Sequence, residues 1–159
     1  MLIYSSILLN PQDLQCELLL SKLAVFQLQY SLALQHCNTF LSYEYKNDTA
    51  LFLKAKIYEM QNMNMYALGT INQAIELNQS NSEYYFARAN ILLALKQFEQ
   101  SERDYNQSLD LNPTLEVYFN RGQVRRYRGN TDGACMDYDR AYKLGNTEAL
   151  YYKNKYCKK

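Results

Sequence analysis

Few residues in this 159-residue sequence have the types and spacing that catalysis requires. The single histidine, His36, falls within a predicted helix and has no neighbouring motif that would supply a nucleophile or a general base. The sequence also lacks a Gly-rich phosphate loop. We therefore predict no catalytic residues, no cofactor and no metal site, and we interpret the protein as one that is not an enzyme.

The four cysteines are the other reactive residues, and none belongs to a CxxC pair or to a zinc-ribbon spacing. Cys135 and Cys157 lie eleven residues before and eleven residues after Asn146. An antiparallel hairpin that turns there would bring the two thiols together. The sequence is compatible with a disulfide or with two reduced thiols, and two reduced thiols are the simpler interpretation.

A cluster of arginines interleaved with tyrosines is the one pattern that suggests nucleic-acid binding. Such a patch could contact phosphates and stack on bases, and it comprises Arg121, Arg125, Arg126 and Arg128 with Tyr118 and Tyr127. However, Lys and Arg together number 17 against 16 for Asp and Glu, so no overall positive field would hold the protein on nucleic acid.

Two arginines each have a carboxylate sixteen residues further on, in the pairs Arg88 with Asp104 and Arg121 with Asp137. Residues eight before and eight after the turn of a helical hairpin face each other across it. We predict that both arginines are structural and form ion pairs within their hairpins. This leaves RNA binding as a minor alternative.

The elements that carry these residues are predicted to be helices. The chain is 48% hydrophobic and has only 5 Gly and 2 Pro, so it has few of the breakers that an all-β chain scatters through its sequence. Its longest apolar stretches fall well short of the roughly 18 to 20 residues that span a bilayer. We predict an all-α protein without membrane insertion.

An internal repeat organises the helices. Small residues recur twelve positions apart, as Ser21 and Ala33, Ala55 and Ala67, Ala89 and Ser101, and Gly122 and Ala134. The first members of these pairs follow one another along the chain at a nearly constant interval. Two antiparallel helices approach closely only where a side chain is small, so each pair marks one helical hairpin.

This unit resembles the tetratricopeptide repeat, whose period of about 34 residues matches the interval between the small-residue pairs. The clearest copy is formed by Tyr85, Ala89, Phe98, Ser101, Tyr105 and Pro113, and the next by Tyr118, Arg121-Gly122, Ala134, Tyr138, Ala141 and Leu144. The first two copies are weaker, because Glu17 replaces the leading aromatic residue. The resemblance implies a right-handed superhelix of helical hairpins, an α-solenoid, with a C-terminal capping helix.

The repeat register predicts the helices and the domain limits. We expect helices near 14–27, 30–43, 48–61, 64–77, 82–95, 98–111, 115–128, 131–143 and 147–156. These form repeats over 14–47, 48–81, 82–114 and 115–145, followed by the capping segment 146–159. Residues 1–11 align with residues 103–113, so we interpret them as the second-helix tail of an incomplete preceding repeat, or otherwise as an apolar leader.

The resemblance also implies a concave groove lined by the first helix of each repeat. Carried over position by position, the groove consists of Leu18, Lys22, Phe52, Lys56, Phe86, Asn90, Phe119, Gln123 and Arg126. The phenylalanines would offer pockets for apolar anchors, or would pack between neighbouring helices. Some family members clamp a chaperone's terminal carboxylate with lysines at the sites that here hold Leu18, Phe52 and Phe86, so that clamp is absent.

The expected function is that of a protein-interaction scaffold that binds a peptide or helix of a partner. The alternative is an adaptor or regulatory segment of a larger enzyme or secretion assembly. Self-association through the apolar N-terminal end is a further expectation. The sequence leaves the compartment open: the cytoplasm is favoured, but a signal upstream of residue 1 is still allowed.

Overall fold

The computed structural model describes residues 10–157, which form nine α-helices and no strand. In chain order these are α1 (Pro11–Phe26), α2 (Tyr30–Tyr43), α3 (Asp48–Met60), α4 (Asn64–Leu77), α5 (Ser82–Ala94), α6 (Phe98–Leu111), α7 (Leu115–Tyr127), α8 (Thr131–Lys143) and α9 (Thr147–Tyr156). Eight of the nine begin at the predicted residue. The predicted tail at the start of the chain falls almost entirely outside the described residues and stays a prediction.

The start of α1 differs from the prediction, because the helix begins at Pro11 and not near residue 14. The side chain of Asn10 accepts a hydrogen bond from the backbone N–H of Asp13 at 2.9 Å and so caps the helix. Proline suits the first position of a helix, since its missing N–H has no partner there in any case. The Asn-Pro pair therefore starts this helix.

Side-chain caps also fix where the later first helices begin. Asn47 and Asn81 accept hydrogen bonds from backbone N–H groups at the starts of α3 and α5, and Thr114 does the same for α7. The turn inside each hairpin has one residue with positive φ in the same place, namely Leu28, Asn62, Lys96 and Gly129. The repeat is thus visible in the backbone as well as in the side chains.

The small residues lie where the two helices of a hairpin meet. Ala33, Ala67 and Ala89 are fully buried at these contacts. Where serine replaces alanine its hydroxyl is satisfied locally, because Ser21 Oγ donates to the carbonyl of Ala33 at 2.9 Å and Ser101 Oγ donates to that of Ala89 at 2.8 Å. Each hairpin therefore closes tightly without leaving a buried polar group unpaired at these sites.

The last helix is joined to the array by a disulfide between Cys135 of α8 and Cys157, which follows α9. Of the two arrangements that the sequence left open, the structure has the bonded one. Cys16 is exposed and Cys37 is buried, and both are free thiols. Within residues 10–157, no helix is both long and apolar enough to cross a membrane.

Candidate binding groove

The groove is the surface formed by the first helices α1, α3, α5 and α7, whose neighbours in this series contact one another. A cavity of about 350 Å³ opens along α3, with α1 on one side and the start of α5 on the other. Lys22, Phe52 and Lys56 all line it, so the structure brings these three predicted groove residues together. Leu18 packs into the neighbouring core around Phe40.

Each phenylalanine of the groove rests on a buried tyrosine and keeps part of its surface open. The ring centroids of Phe52 and Tyr84 are 4.8 Å apart, and those of Phe86 and Tyr105 are 6.1 Å apart. Phe119 lies against Tyr138 in the same way, at 6.0 Å. All three phenylalanines are half-buried, which is compatible with both uses that the sequence suggested, namely packing between helices and contact with a ligand.

The amide side chains predicted for the groove are already engaged within the protein. Asn90 Oδ1 accepts hydrogen bonds from Tyr105 Oη at 2.6 Å and from Asn120 Nδ2 at 3.1 Å. Gln123 Oε1 accepts one from Tyr138 Oη at 3.2 Å. Their carbonyl oxygens therefore hold the groove wall, and only the amide N–H groups are left to donate to a ligand.

Arg126 lies at the C-terminal end of the groove between two aromatic rings. Its guanidinium carbon is 4.4 Å from the ring centroid of Tyr127 and 4.9 Å from that of Tyr156, and its Nε donates to Gln123 Oε1 at 3.3 Å. Stacking and hydrogen bonding of this kind fix the plane of a guanidinium while its charge stays near the surface. This end of the groove is therefore positively charged and ordered.

Burial raises the pKa of ionisable groups in and beneath the groove. Burial raises the pKa of Glu59, which holds in α3 the register position of Arg126 in α7, and the nearby Lys56 acts in the opposite direction. Burial likewise raises the pKa of Tyr138 to about 12. The tyrosines beneath the phenylalanines therefore stay neutral at physiological pH and keep their hydroxyl protons for hydrogen bonding.

The two predicted arginine–aspartate pairs are present on the side of the hairpins away from the groove. Arg88 contacts Asp104 through two hydrogen bonds of 2.6 and 2.8 Å, and Arg121 contacts Asp137 through two of 2.9 and 2.6 Å. Asp137 is only 1% exposed. Both pairs are bidentate, and this geometry fixes the orientation of the guanidinium group.

Three of the four clustered arginines are paired with carboxylates. Besides Arg121, Arg125 contacts Glu102 at 2.8 Å and Asp137 at 2.9 Å, and Arg128 contacts Glu102 and Glu99. Because these carboxylates neutralise the arginines, little positive charge remains in the cluster to bind phosphates.

Some contacts of potential functional residues could not be found from the sequence. His36 Nδ1 lies 2.8 Å from Glu17 Oε2, a separation of nineteen residues that the sixteen-residue rule does not reveal. Tyr151 and Lys155 of α9 hold the register positions of Phe119 and Gln123 and were not among the predicted groove residues. The sequence feature that could have identified them is their spacing, since they follow Phe119 and Gln123 by slightly less than one repeat length.

Comparison with known proteins agrees with this architecture. Residues 82–115 match the family model of the tetratricopeptide repeat, and no curated protein sequence matches the chain. The crystal structure of MamA superimposes with a TM-score of 0.80 at 17% identity, over 89% of this chain and 84% of that one.

The descriptions of two further similar structures mention a bound peptide or a peptide-binding site. YrrB, described as a TPR protein with an unusual peptide-binding site, has a TM-score of 0.77 at 18% identity, over 84% of this chain and 71% of that one. The first TPR of Spaghetti (RPAP3), bound to the HSP90 peptide SRMEEVD, has a TM-score of 0.73 at 20% identity, over 77% of this chain and 98% of that one. The predicted all-α solenoid of hairpins is confirmed, and at these identities the likeness concerns the fold.

Proposed function

Because the chain is an array of tetratricopeptide repeats, we propose that it is a protein-interaction scaffold that holds a peptide or helix of a partner protein in its groove and performs no catalysis. The observation that carries the proposal is the cavity along α3, which is lined by apolar side chains and by two lysines. Surfaces of this kind bind an apolar anchor and orient it with a few polar contacts.

The chemistry of the cavity suggests what it would take. Phe52, Leu53 and Met60 form its apolar lining, while Lys22 and Lys56 add two positive charges and Glu83 one negative charge. The amine of Lys56 lies 5.3 Å from the ring centroid of Phe52. An apolar side chain that is followed by a carboxylate would fit this combination of surfaces and charges.

The two structural neighbours with peptide-related descriptions support a peptide as the occupant, and the sequence indicates how it would differ from a chaperone tail. Leu18, Phe52 and Phe86 replace the lysines that the chaperone-type carboxylate clamp uses. We expect a more apolar segment than SRMEEVD to bind. A larger assembly that includes this chain as an adaptor would use the same groove.

The proposal is tested by selecting peptides from a random displayed library on the folded chain and measuring their affinity by fluorescence polarisation. Phe52→Ala should weaken binding about tenfold, which corresponds to the loss of roughly 1.4 kcal/mol from one anchor contact. Tyr45→Ala, which removes an exposed ring outside the groove, should leave the affinity unchanged. Failure to select any peptide, or equal binding by both variants, would contradict the proposal.

Urea denaturation of the same variants separates binding from packing. Phe52 rests on Tyr84, so its replacement will cost some stability. Binding is therefore compared under conditions in which circular dichroism shows every variant to be fully folded. Weakened binding by a folded variant then reports on the groove itself.

Self-association through the N-terminal end stays a prediction. Leu19, Leu23 and Phe26 of α1 are exposed, Phe26 by 86%. Light scattering on the whole chain, compared with a chain that lacks residues 1–10, would detect such association as a concentration-dependent mass.

A further inference from the structure

The last helix, α9, is built like the first helix of a further repeat. Asn146 caps it through the N–H of Ala149, as Thr114 caps α7 through that of Val117. Ala149 is fully buried at the position that Val117 holds in the preceding repeat. Thus α9 covers the end of the array and also continues the series of first helices.

The polar contacts of α9 follow the same register. Arg121 of α7 donates to Asn106 of the preceding second helix at 2.7 Å. Lys153, which stands in α9 where Arg121 stands in α7, donates to Asp139 at 2.5 Å. Asp139 is in turn the counterpart of Asn106 in the next second helix, α8. The equivalence between α9 and α7 therefore rests on a cap, a buried side chain and an inter-helix bond.

This register brings an aromatic residue and a lysine to the C-terminal end of the groove. Tyr151 takes the position of the groove phenylalanines and is 58% exposed, and Lys155 takes the position of Lys56. The amine of Lys155 lies 5.4 Å from the ring centroid of Tyr151 and donates to its Oη at 3.3 Å, whereas Lys56 lies 5.3 Å from the ring centroid of Phe52, which has no hydroxyl. The groove thus has an aromatic residue and a lysine at equivalent register positions near each end, although the contact between the two differs.

Noncovalent contacts seat α9 on the array, and the disulfide adds a covalent bond at its C-terminal end. The helix has ten residues, and Ala149 is its one fully buried side chain. Tyr152 adds an edge contact to Phe119, with ring centroids 5.4 Å apart. A helix of this length is marginal by itself in water, and covalent attachment of Cys157 to Cys135 restricts it to the end of the array.

We propose that Tyr151 and Lys155 form a second anchoring site of the groove, for an apolar side chain next to a carboxylate, and that the Cys135–Cys157 disulfide keeps this site assembled. The inference rests on the proposed function and adds a redox control to it. A dithiol reductant supplies two electrons and two protons: the S–S bond breaks, two thiols form, and the reductant becomes a cyclic disulfide. The freed α9 then loses its fixed position beside Phe119.

The test uses the whole chain in its oxidised form and a panel of fluorescein-labelled peptides selected on it from a random library. For at least one selected peptide, Tyr151→Ala, Lys155→Gln and treatment with dithiothreitol should each weaken binding, the reductant by about tenfold or more. Cys157→Ser should bind like the reduced chain and should not respond to dithiothreitol, which shows whether the reductant acts through this bond. Cys16→Ser, at an exposed free thiol, is the matched control and should behave like the original chain.

Amide hydrogen exchange supplies a measurement that does not depend on a ligand. Reduction should accelerate exchange in α9 and leave that in α5 unchanged, because α5 packs mainly against α4 and α6. If every peptide is sensitive to Phe52→Ala but none to Tyr151→Ala, Lys155→Gln or reduction, the second site is wrong while the proposed function stands. Unchanged exchange in α9 after reduction would overturn the role of the disulfide, and insensitivity to all variants would refute the groove as a whole.

Discussion

Gly122 offers a direct test of the idea that small residues set the distance between the two helices of a repeat. A Cβ atom at this position in α7 would lie 2.8 Å from Cε1 and 2.9 Å from Cδ1 of Tyr138 in α8. The ring of Tyr138 is fully buried and is held by the hydrogen bond from its hydroxyl to Gln123. It cannot move aside easily, so Gly122→Ala should push the two helices apart.

The magnitude follows from two opposing contributions. Alanine is more favourable than glycine inside a helix by about 1 kcal/mol. Overpacking of a closed core typically costs about 1 to 3 kcal/mol. We expect Gly122→Ala to lower the free energy of unfolding by about 1 kcal/mol.

Gly69 in α4 is the matched control. It is exposed in the middle of a helix, and a Cβ there would meet no atom within 4 Å. Gly69→Ala keeps the gain in helix propensity without the clash, so it should raise the free energy of unfolding by about 1 kcal/mol, or the Tm by about 2 to 4 °C. The two substitutions are chemically identical and should act in opposite directions.

Urea denaturation of the oxidised chain, followed by far-ultraviolet circular dichroism, measures both variants against the original. The difference between them should be about 2 kcal/mol, and the double variant should be additive to within about 0.5 kcal/mol because the sites are in different hairpins. If Gly122→Ala stabilised the protein as much as Gly69→Ala, the helices would not be in close contact at this site and the interpretation of the small-residue pattern would be refuted.

Two further predictions concern buried groups. Asp137→Asn leaves the buried guanidinium of Arg121 without its anionic partner. It should lower the free energy of unfolding by about 3 to 5 kcal/mol in the same denaturation assay. The control Asp132→Asn, at an exposed site of the same helix, should change it by less than about 1 kcal/mol. Thiol titration of the native, oxidised chain should detect Cys16 alone. Burial shields Cys37 from the reagent and raises the pKa of its thiol to about 11. Rapid labelling of Cys37 would contradict its placement in the core.

The helices could be predicted from the sequence because one physical rule acts at every repeat. Close helix contact needs a small side chain, so the spacing of Ala55, Ala89 and Gly122 sets the hairpins without further information. The start of α1 escaped this rule. At the end of α6, Asn112 ends a helix and Pro113 lies in the loop, whereas Asn10 caps α1 and Pro11 is its first residue. The same dipeptide can end one helix or begin another, and only the contacts of the asparagine side chain distinguish the two.

The groove was predictable in outline for the same reason, since the register places equivalent residues side by side. The contacts that each groove side chain makes could not be predicted in the same way. Asn90 and Gln123 were predicted as groove residues, and the hydroxyls of Tyr105 and Tyr138 reach their carbonyl oxygens from the second helices. A pattern within one helix cannot show what a side chain from another helix contributes.

The polar bonds between successive repeats are distributed unevenly, and this bears on where the array can adjust to a partner. Arg88 donates to Asn72 across the junction of the second and third hairpins, and Arg121 and Lys153 make the corresponding bonds at the two later junctions.

At the first junction the equivalent residue is Lys54, whose amine lies 5.9 Å from the ring centroid of Tyr58 in its own helix. The cavity lined by Lys22, Phe52 and Lys56 spans this junction and extends to the start of α5. Packing there is mainly apolar, and Cys37 Sγ donates a weak hydrogen bond to the carbonyl of Ala50 at 3.4 Å. Lys54 does not make the bond that Arg88, Arg121 and Lys153 make at the later junctions, so we expect small rearrangements of α1 against α3 to be easier than those between later repeats. The proposed groove therefore combines an adaptable anchoring site near its N-terminal end with a rigid one at its C-terminal end, where ion pairs and the disulfide fix the helices.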